Sequence, residues 1–260
     1  MSAAIVIPAR YGSTRFAGKP LHIIRGISML ERVWRIAKSV KGCSRVIIAT
    51  DDERIMTHAA SFGAEACMTP ETCENGTERV FAAINLAKIE EDILLNLQGD
   101  ALLTPPWVLD DMINEMDGNP DVEMATPAVL LKDETLNEFC KNKQTSPASG
   151  STVVFNKNRD ALYFSKTIIP YIRNAGAANI YRHIGLYGYR RSGIKKYMSL
   201  TPTPLEKAEG LEQLRALENG MKIRIVIVDY KGRTHGSVDS PQDVHIVEEI
   251  ISREGELTKL

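Results

Sequence analysis

The stretch Ile5-Val6-Ile7-Pro8-Ala9-Arg10-Tyr11-Gly12-Ser13-Thr14-Arg15-Phe16-Ala17-Gly18-Lys19-Pro20 decides the fold. Three consecutive β-branched residues, the mark of a buried strand, run straight into a loop of small residues that carries Arg10, Arg15 and Lys19. Gly12 and Gly18 let the backbone turn tightly and bring main-chain N–H groups close to an anion, while the cations supply charge. Arginine adds a planar bidentate fork and lysine a compact point charge. The loop reads as a cradle for a polyphosphate.

Spacing excludes two other cradles. Five residues separate Gly12 from Gly18, and Pro20 follows Lys19, whereas a P-loop needs four residues between its glycines and then Lys-Ser/Thr. Gly12 has no glycine two residues away, so the dinucleotide fingerprint G-x-G-x-x-G is absent as well.

Further apolar runs at 45–49, 93–97 and 222–228 predict strands, and segments at 29–40, 53–62, 77–88 and 106–117 carry helical spacing. Strand alternating with helix predicts a mainly parallel α/β sheet. Ligands of such sheets gather beyond the carboxyl ends of the strands. Those ends read Pro8-Ala9-Arg10, Thr50-Asp51-Asp52 and Gln98-Gly99-Asp100, which sets cations beside carboxylates as a metal-nucleotide site requires.

The polar stretch 141–150 reads as a loop, followed by strands at 152–155, 162–164 and 183–189 and by a loop at 171–179. This predicts one domain over 1–260 with an antiparallel insertion at about 141–200, suited to substrate contacts or a subunit interface. A helix is expected over 205–219, ending at Gly220, and a last helix capped by Ser240 with Pro241 in its first turn.

The 260 residues are 43% hydrophobic and 25% charged, and 32 basic against 33 acidic side chains leave a net charge of -1. Neither a generic nucleic-acid surface nor an anionic-membrane surface is indicated. Cys43, Cys67, Cys73 and Cys140 lack metal-ligand or disulfide-scaffold spacing. No apolar stretch approaches the roughly 20 residues needed to span a bilayer, and no secretory leader precedes the first strand. A reduced, cytoplasmic protein is expected.

An aspartate at a strand end, such as Asp100, serves either a turn or a magnesium ion; Asp239, just before the last helix, has the same two readings. Two such positions beside a phosphate cradle favour metal. Asn75-Gly76-Thr77-Glu78-Arg79 opens a helix whose N-terminal amides can take an anion or a base carbonyl. His183 and the aromatic side chains Tyr163, Phe164 and Tyr189 read first as packing groups.

Together these segments resemble the 3-deoxy-manno-octulosonate (Kdo) cytidylyltransferases, or CMP-Kdo synthetases. IPARYGSTRFAGKPL, ATDDERI, NGTERV, NLQGD, MATPA, DALYFSK with IPY, RHIGLYGYR, PLEKAEGLEQLRAL and VDSPQD occur in that family's order and spacing over nearly the whole chain. The resemblance implies a nucleotidyltransferase α/β fold and a cytoplasmic, magnesium-dependent homodimer. It would use CTP, release pyrophosphate and activate a small acidic sugar for lipopolysaccharide assembly. By position, Ala9, Arg10, Ser13, Lys19, Thr77, Arg79 and Gln98 are the expected nucleotide contacts, and Asp100 and Asp239 the metal ligands. Arg10, Arg15, Lys19, Asp100 and Asp239 are the expected catalytic set. Arg15, Lys166, His183, Tyr189, Glu212 and Gln213 are the expected acceptor contacts.

Departures from the family pattern cluster. Gln98-Gly99-Asp100-Ala101-Leu102 replaces Gln-Gly-Asp-Glu-Pro, Thr152-Val153-Val154 replaces Lys-Val-Val, and Lys166 stands where the family has arginine. The nucleotide half is nearly intact and the acceptor half altered, so the acceptor is expected to be Kdo, 8-amino-Kdo, another ulosonic acid or a phosphonate. Rival classes are a non-catalytic CTP-binding protein, a structural dimer, and a nucleotidyltransferase using UTP or GTP with a phosphosugar. The structural dimer leaves the three cations of one loop unexplained, and the CTP regulator leaves the two aspartates unexplained.

Overall fold

The computed structural model describes residues 2–12, 16–174, 176 and 178–258. The chain divides into two compact units, Met1–Asp117 with Tyr230–Leu260, and Gly118–Asp229.

In the first unit β1 (Ala3–Ala9) pairs in parallel with β4 (Cys43–Thr50) on one edge and β6 (Ile93–Asn96) on the other, and β5 (Glu65–Met68) lies outside β4. A two-stranded hairpin, β2 (Ile23–Ile24) and β3 (Ile27–Ser28), stands apart. All seven residues of β1 are buried, which is why the run is apolar without alternation. Helices α1 (Met29–Lys38), α2 (Glu53–Ser61) and α3 (Gly76–Leu86) pack on these strands. Each starts at a side-chain cap: Ser28, Asp52 and Asn75 accept from the N–H of Glu31, Arg54 and Glu78. Helix α4 (Pro106–Gly118) buries Val108, Leu109, Met112, Ile113 and Met116.

Ala9 lies opposite Thr50, and Leu97 N–H donates to the Val6 carbonyl at 3.1 Å. The tails of the three central strands therefore leave the sheet together. No helix among the described residues is long and apolar enough to cross a membrane.

The second unit is built on β7 (Met124–Leu131) and α5 (Asp133–Thr145), then the antiparallel strands β8 (Ser151–Phe155), β9 (Ala161–Ser165), β10 (Ile180–His183) and β11 (Tyr187–Arg190). Helices α6 (Arg191–Met198), α7 (Pro204–Glu209) and α8 (Gln213–Glu218) lead to β12 (Arg224–Ile227). Ala125 faces both Gly188 and Arg224, and Ala128 both His183 and Ile227. So β10 and β11 share one edge of β7, and β12, parallel, takes the other. The last helix, α9 (Pro241–Glu254) of the first unit, starts at Ser240 with Asp243 closing a capping box.

Three expectations are corrected. The loop read over 141–150 is helical as far as Thr145, since α5 is polar on most sides and shows no apolar stripe beyond Leu136 and the buried Phe139. The strand read over 183–189 is two strands, interrupted at 184–186. The helix read over 205–219 is two short helices, because Gly210 adopts φ 62° and ends the first.

Candidate active site

At the strand tails of the first unit lies a cavity of about 340 Å³. Its wall includes Ala9, Arg10, Lys19, Arg79, Gln98, Asp100 and Asp239, seven residues read from sequence, together with Asn75, Gly76 and Gly99. Thr77, by contrast, is fully buried and receives the Asn96 amide at 3.4 Å, outside the cavity wall. Ser13 and Arg15 lie outside the described residues.

Local physics explains the shape. Gly18 N–H closes the cradle by donating to the Tyr11 carbonyl at 3.0 Å, and at φ 70° it sits where a Cβ would come within 3.2 Å of the Tyr11 ring. Arg54, held by both carboxylate oxygens of Asp52, stacks its guanidinium 3.3 Å from the centre of the same ring. The 3-10 turn Lys19–Leu21 then points Lys19 Nζ at Asp100 Oδ2, 2.6 Å away, and at the Val238 carbonyl, 2.9 Å away. One ammonium thus joins the cradle to the β6 tail and to the residue before Asp239.

A Cβ on Gly99 would lie 2.9 Å from the Pro8 carbonyl, so glycine lets the β6 tail run against the β1 tail and carry Asp100 forward. A Cβ on Gly76 would lie 3.1 Å from the Gln98 amide, which donates to Asn96 Oδ1 at 3.0 Å. Arg79 is 3% exposed, with Thr69 Oγ1 at 2.7 Å and Asp51 Oδ2 at 2.6 Å. Its charge is therefore largely balanced by Asp51, and among the described residues Arg10, on the exposed rim, faces the cavity with Lys19.

Among the described residues no group of three or more His, Cys, Asp or Glu side chains is placed to hold a metal. Asp100 and Asp239 are two carboxylates on one cavity wall. That donor set suits magnesium, which accepts one or two carboxylates and fills its octahedron with water and substrate phosphate.

In the second unit three of the acceptor candidates, His183, Tyr189 and Gln213, are buried and belong to one network, whereas Lys166 and Glu212 are half-buried. His183 is 5% exposed; its Nε2 lies 2.9 Å from Thr126 Oγ1 and its Nδ1 3.0 Å from Ser151 Oγ. Thr126 Oγ1 gives its proton to the Leu186 carbonyl at 2.7 Å, so it accepts from Nε2–H, and Nδ1 accepts from Ser151. Burial and the charge of Lys166 push the His183 pKa down to about 3, fixing this neutral form.

Tyr187, packed 5.8 Å from His183, donates its hydroxyl to Gln213 Oε1 at 2.9 Å, and burial raises its pKa. Tyr189 packs on Tyr197, whose hydroxyl reaches the Glu212 carbonyl at 3.1 Å. His183, Tyr189, Glu212 and Gln213 are thus linked through Tyr187 and Tyr197. Sequence reading missed both tyrosines, although RHIGLYGYR already placed Tyr187 two residues from Tyr189. Gln213 Nε2 is buried with no hydrogen-bond partner among the described residues.

The departures are accommodated. Ala101 and Leu102 are buried, where the family's glutamate would need solvation. Thr152, fully buried, donates to the Thr167 carbonyl at 2.8 Å and accepts from Ile169 N–H at 3.1 Å.

A cationic loop and two carboxylates meeting where parallel strands end are what a nucleotidyltransferase needs to hold a triphosphate. The family model for cytidylyltransferases matches residues 4–223. The 3-deoxy-manno-octulosonate cytidylyltransferase of Maricaulis maris (strain MCS10) is 54% identical over 99% of this chain and 100% of its own. The 8-amino-3,8-dideoxy-manno-octulosonate cytidylyltransferase of Shewanella pealeana is 39% identical over 95% of this chain and 98% of its own. A solved structure of CMP:2-keto-3-deoxy-manno-octonic acid synthetase complexed with CTP superimposes with a TM-score of 0.87 at 36% identity, over 98% of this chain and 100% of that one. The chain belongs to the cytidylyltransferase family, in its Kdo cytidylyltransferase branch.

Proposed function

We propose that this protein transfers CMP from CTP to the anomeric hydroxyl of Kdo and releases pyrophosphate. The observation that carries the reading is the cavity wall shared by Arg10, Lys19, Asp100 and Asp239. Arg10, Lys19 and the cradle amides take the triphosphate; Gln98 and the start of α3 face the cytosine and ribose. Asp100 and Asp239 would hold magnesium, which when bound offsets charge on the phosphate oxygens and on the attacking hydroxyl.

The chemistry is one in-line displacement. The sugar oxygen bonds to the α-phosphorus, the bond from that phosphorus to the bridging oxygen breaks, the hydroxyl proton leaves to solvent and pyrophosphate departs. The residues contribute position and charge, and no covalent enzyme intermediate is formed. Arg15 joins the catalytic set by its place in the loop.

For the acid, Lys166, His183, Tyr189, Glu212 and Gln213 are the assigned contacts. The uncommitted donor on Gln213 supports this, because a buried unpaired amide costs about 1–3 kcal/mol unless a ligand satisfies it. A cytoplasmic homodimer that supplies lipopolysaccharide assembly completes the reading.

Lys166 in place of arginine and Thr152 in place of lysine support a second acceptor, 8-amino-Kdo, whose own cation tolerates fewer protein cations. Pyrophosphate release is measured with CTP and magnesium, and Kdo, 8-amino-Kdo or no acid. Release with Kdo is expected; release with neither acid would overturn the reading, and release with 8-amino-Kdo alone would select the second acceptor. Release with UTP or GTP in place of CTP would select another nucleotidyltransferase.

A further inference from the structure

Lys143 on α5 spends all three ammonium hydrogens on backbone carbonyls: Pro147 at 3.0 Å, Gly150 at 2.9 Å and Lys166 at 2.5 Å. Its ammonium lies 5.4 Å from the centre of the buried Phe139 ring, whose other cationic neighbour is Arg182, also at 5.4 Å. On the other side of Lys166, its N–H donates to Glu209 Oε2 at 2.7 Å, while Glu209 Oε1 accepts from Ser165 Oγ at 2.7 Å. Burial opposes the charge on Glu209, yet the hydrogen bonds from Lys166, Ser165 and Tyr163 outweigh it and hold the carboxyl below its ordinary value. Both peptide groups of Lys166 are therefore gripped by ions of opposite sign.

We propose that Lys143 and Glu209 are positioning residues that fix Lys166 for the acid acceptor. A lysine is a point charge on a flexible stem, and where an arginine fork would orient itself, Lys166 needs its backbone held. Lys143 is tied into this bracket and has no donor left for a ligand, so its effect on the acceptor passes through Lys166. The inference rests on the proposed reaction.

Two measurements test it on the full chain. Hydrogen exchange of wild type and Lys143→Met is compared over 146–151 and 165–168, with β12 as the internal reference; faster exchange at both segments and none at β12 is expected. Steady-state kinetics of Lys143→Met, Lys143→Arg and Glu209→Gln should show an acceptor KM raised roughly tenfold in the first and third, with the CTP KM within about twofold and partial recovery in Lys143→Arg. Unchanged exchange would overturn the bracket. Faster exchange with an unchanged acceptor KM, or an equal rise in the CTP KM, would make it merely structural and overturn the proposal. Absence of turnover in the wild type with every acid is the separate failure of the reaction, and would remove the positioning role even where the exchange result holds.

Discussion

Lys19 and Asp100, 81 residues apart in sequence, form an ion pair of 2.6 Å, and the same ammonium reaches the Val238 carbonyl. Lys19→Met removes the phosphate cation and leaves Asp100 without its partner. A fall of roughly 100-fold in kcat/KM for CTP is expected, equal to about 2.7 kcal/mol of transition-state stabilisation. Lys19→Arg should recover only part, because a guanidinium cannot sit as a point charge between the two oxygens. Steady-state pyrophosphate release checks both.

Asp100 and Asp239 are two of the carboxylates on the cavity wall. Chelation of divalent cations should abolish turnover, and added magnesium should restore it. Asp239→Asn should raise the magnesium concentration for half-maximal rate by about tenfold, as removal of one of the two proposed charged ligands requires. Titration of the free protein with manganese, followed by its spin-resonance signal, gives the affinity independently of turnover.

The tails of β1 and β6 touch at Gly99, where a Cβ would stand 2.9 Å from backbone oxygen. Backbone yields less readily than a flexible side chain, so Gly99→Ala should cost about 1–3 kcal/mol of stability and raise the CTP KM through displacement of Asp100. Gly118→Ala, with nothing within 4 Å of the added carbon, is the matched control. Denaturant unfolding of the two variants separates them.

Arg54 stacks on Tyr11, and Tyr11 closes the cradle through Gly18. An exposed stack of this kind contributes only modestly. Arg54→Gln should therefore raise the CTP KM by roughly two- to fivefold with little change in kcat, and Tyr11→Leu should do the same.

Legibility in the sequence followed locality. Val6 and Ile7 announce β1 because a strand buried on both faces has no other composition, and Ser240 with Pro241 and Asp243 announces α9 because a cap is a contact within a few residues. The cradle and both aspartates were readable for the same reason, each standing at the end of a recognisable element. Strand β7 was not: Pro127 interrupts its pattern, and only its three partners show that it is central. Nor was the tyrosine network, since Tyr187 and Gln213 meet across 26 residues through a contact that no spacing encodes. The committed state of Arg79 on α3 likewise depends on Asp51, 28 residues away at the tail of β4.

His183 carries the last prediction. Its neutral ring is locked between Thr126 and Ser151, and its pKa is lowered to about 3 from an ordinary value of 6.5. Above pH 6.5 the ring is neutral in folded and unfolded chains alike, and it contributes no pH dependence. As pH falls below 6.5 the unfolded chain binds a proton there that the folded chain refuses. Stability is therefore lost progressively from pH 6.5 down to about 3, with a slope near 1.4 kcal/mol per unit once the unfolded imidazole is charged. His183→Gln keeps a neutral polar group and removes the titration, so the wild type should lose more stability than the variant between pH 7 and pH 4.5, whatever their difference at pH 7. Denaturant unfolding across that range checks the difference. In the folded wild type, the His183 ring resonance should hold its neutral position down to about pH 4, and a midpoint near 6.5 would sink the assignment.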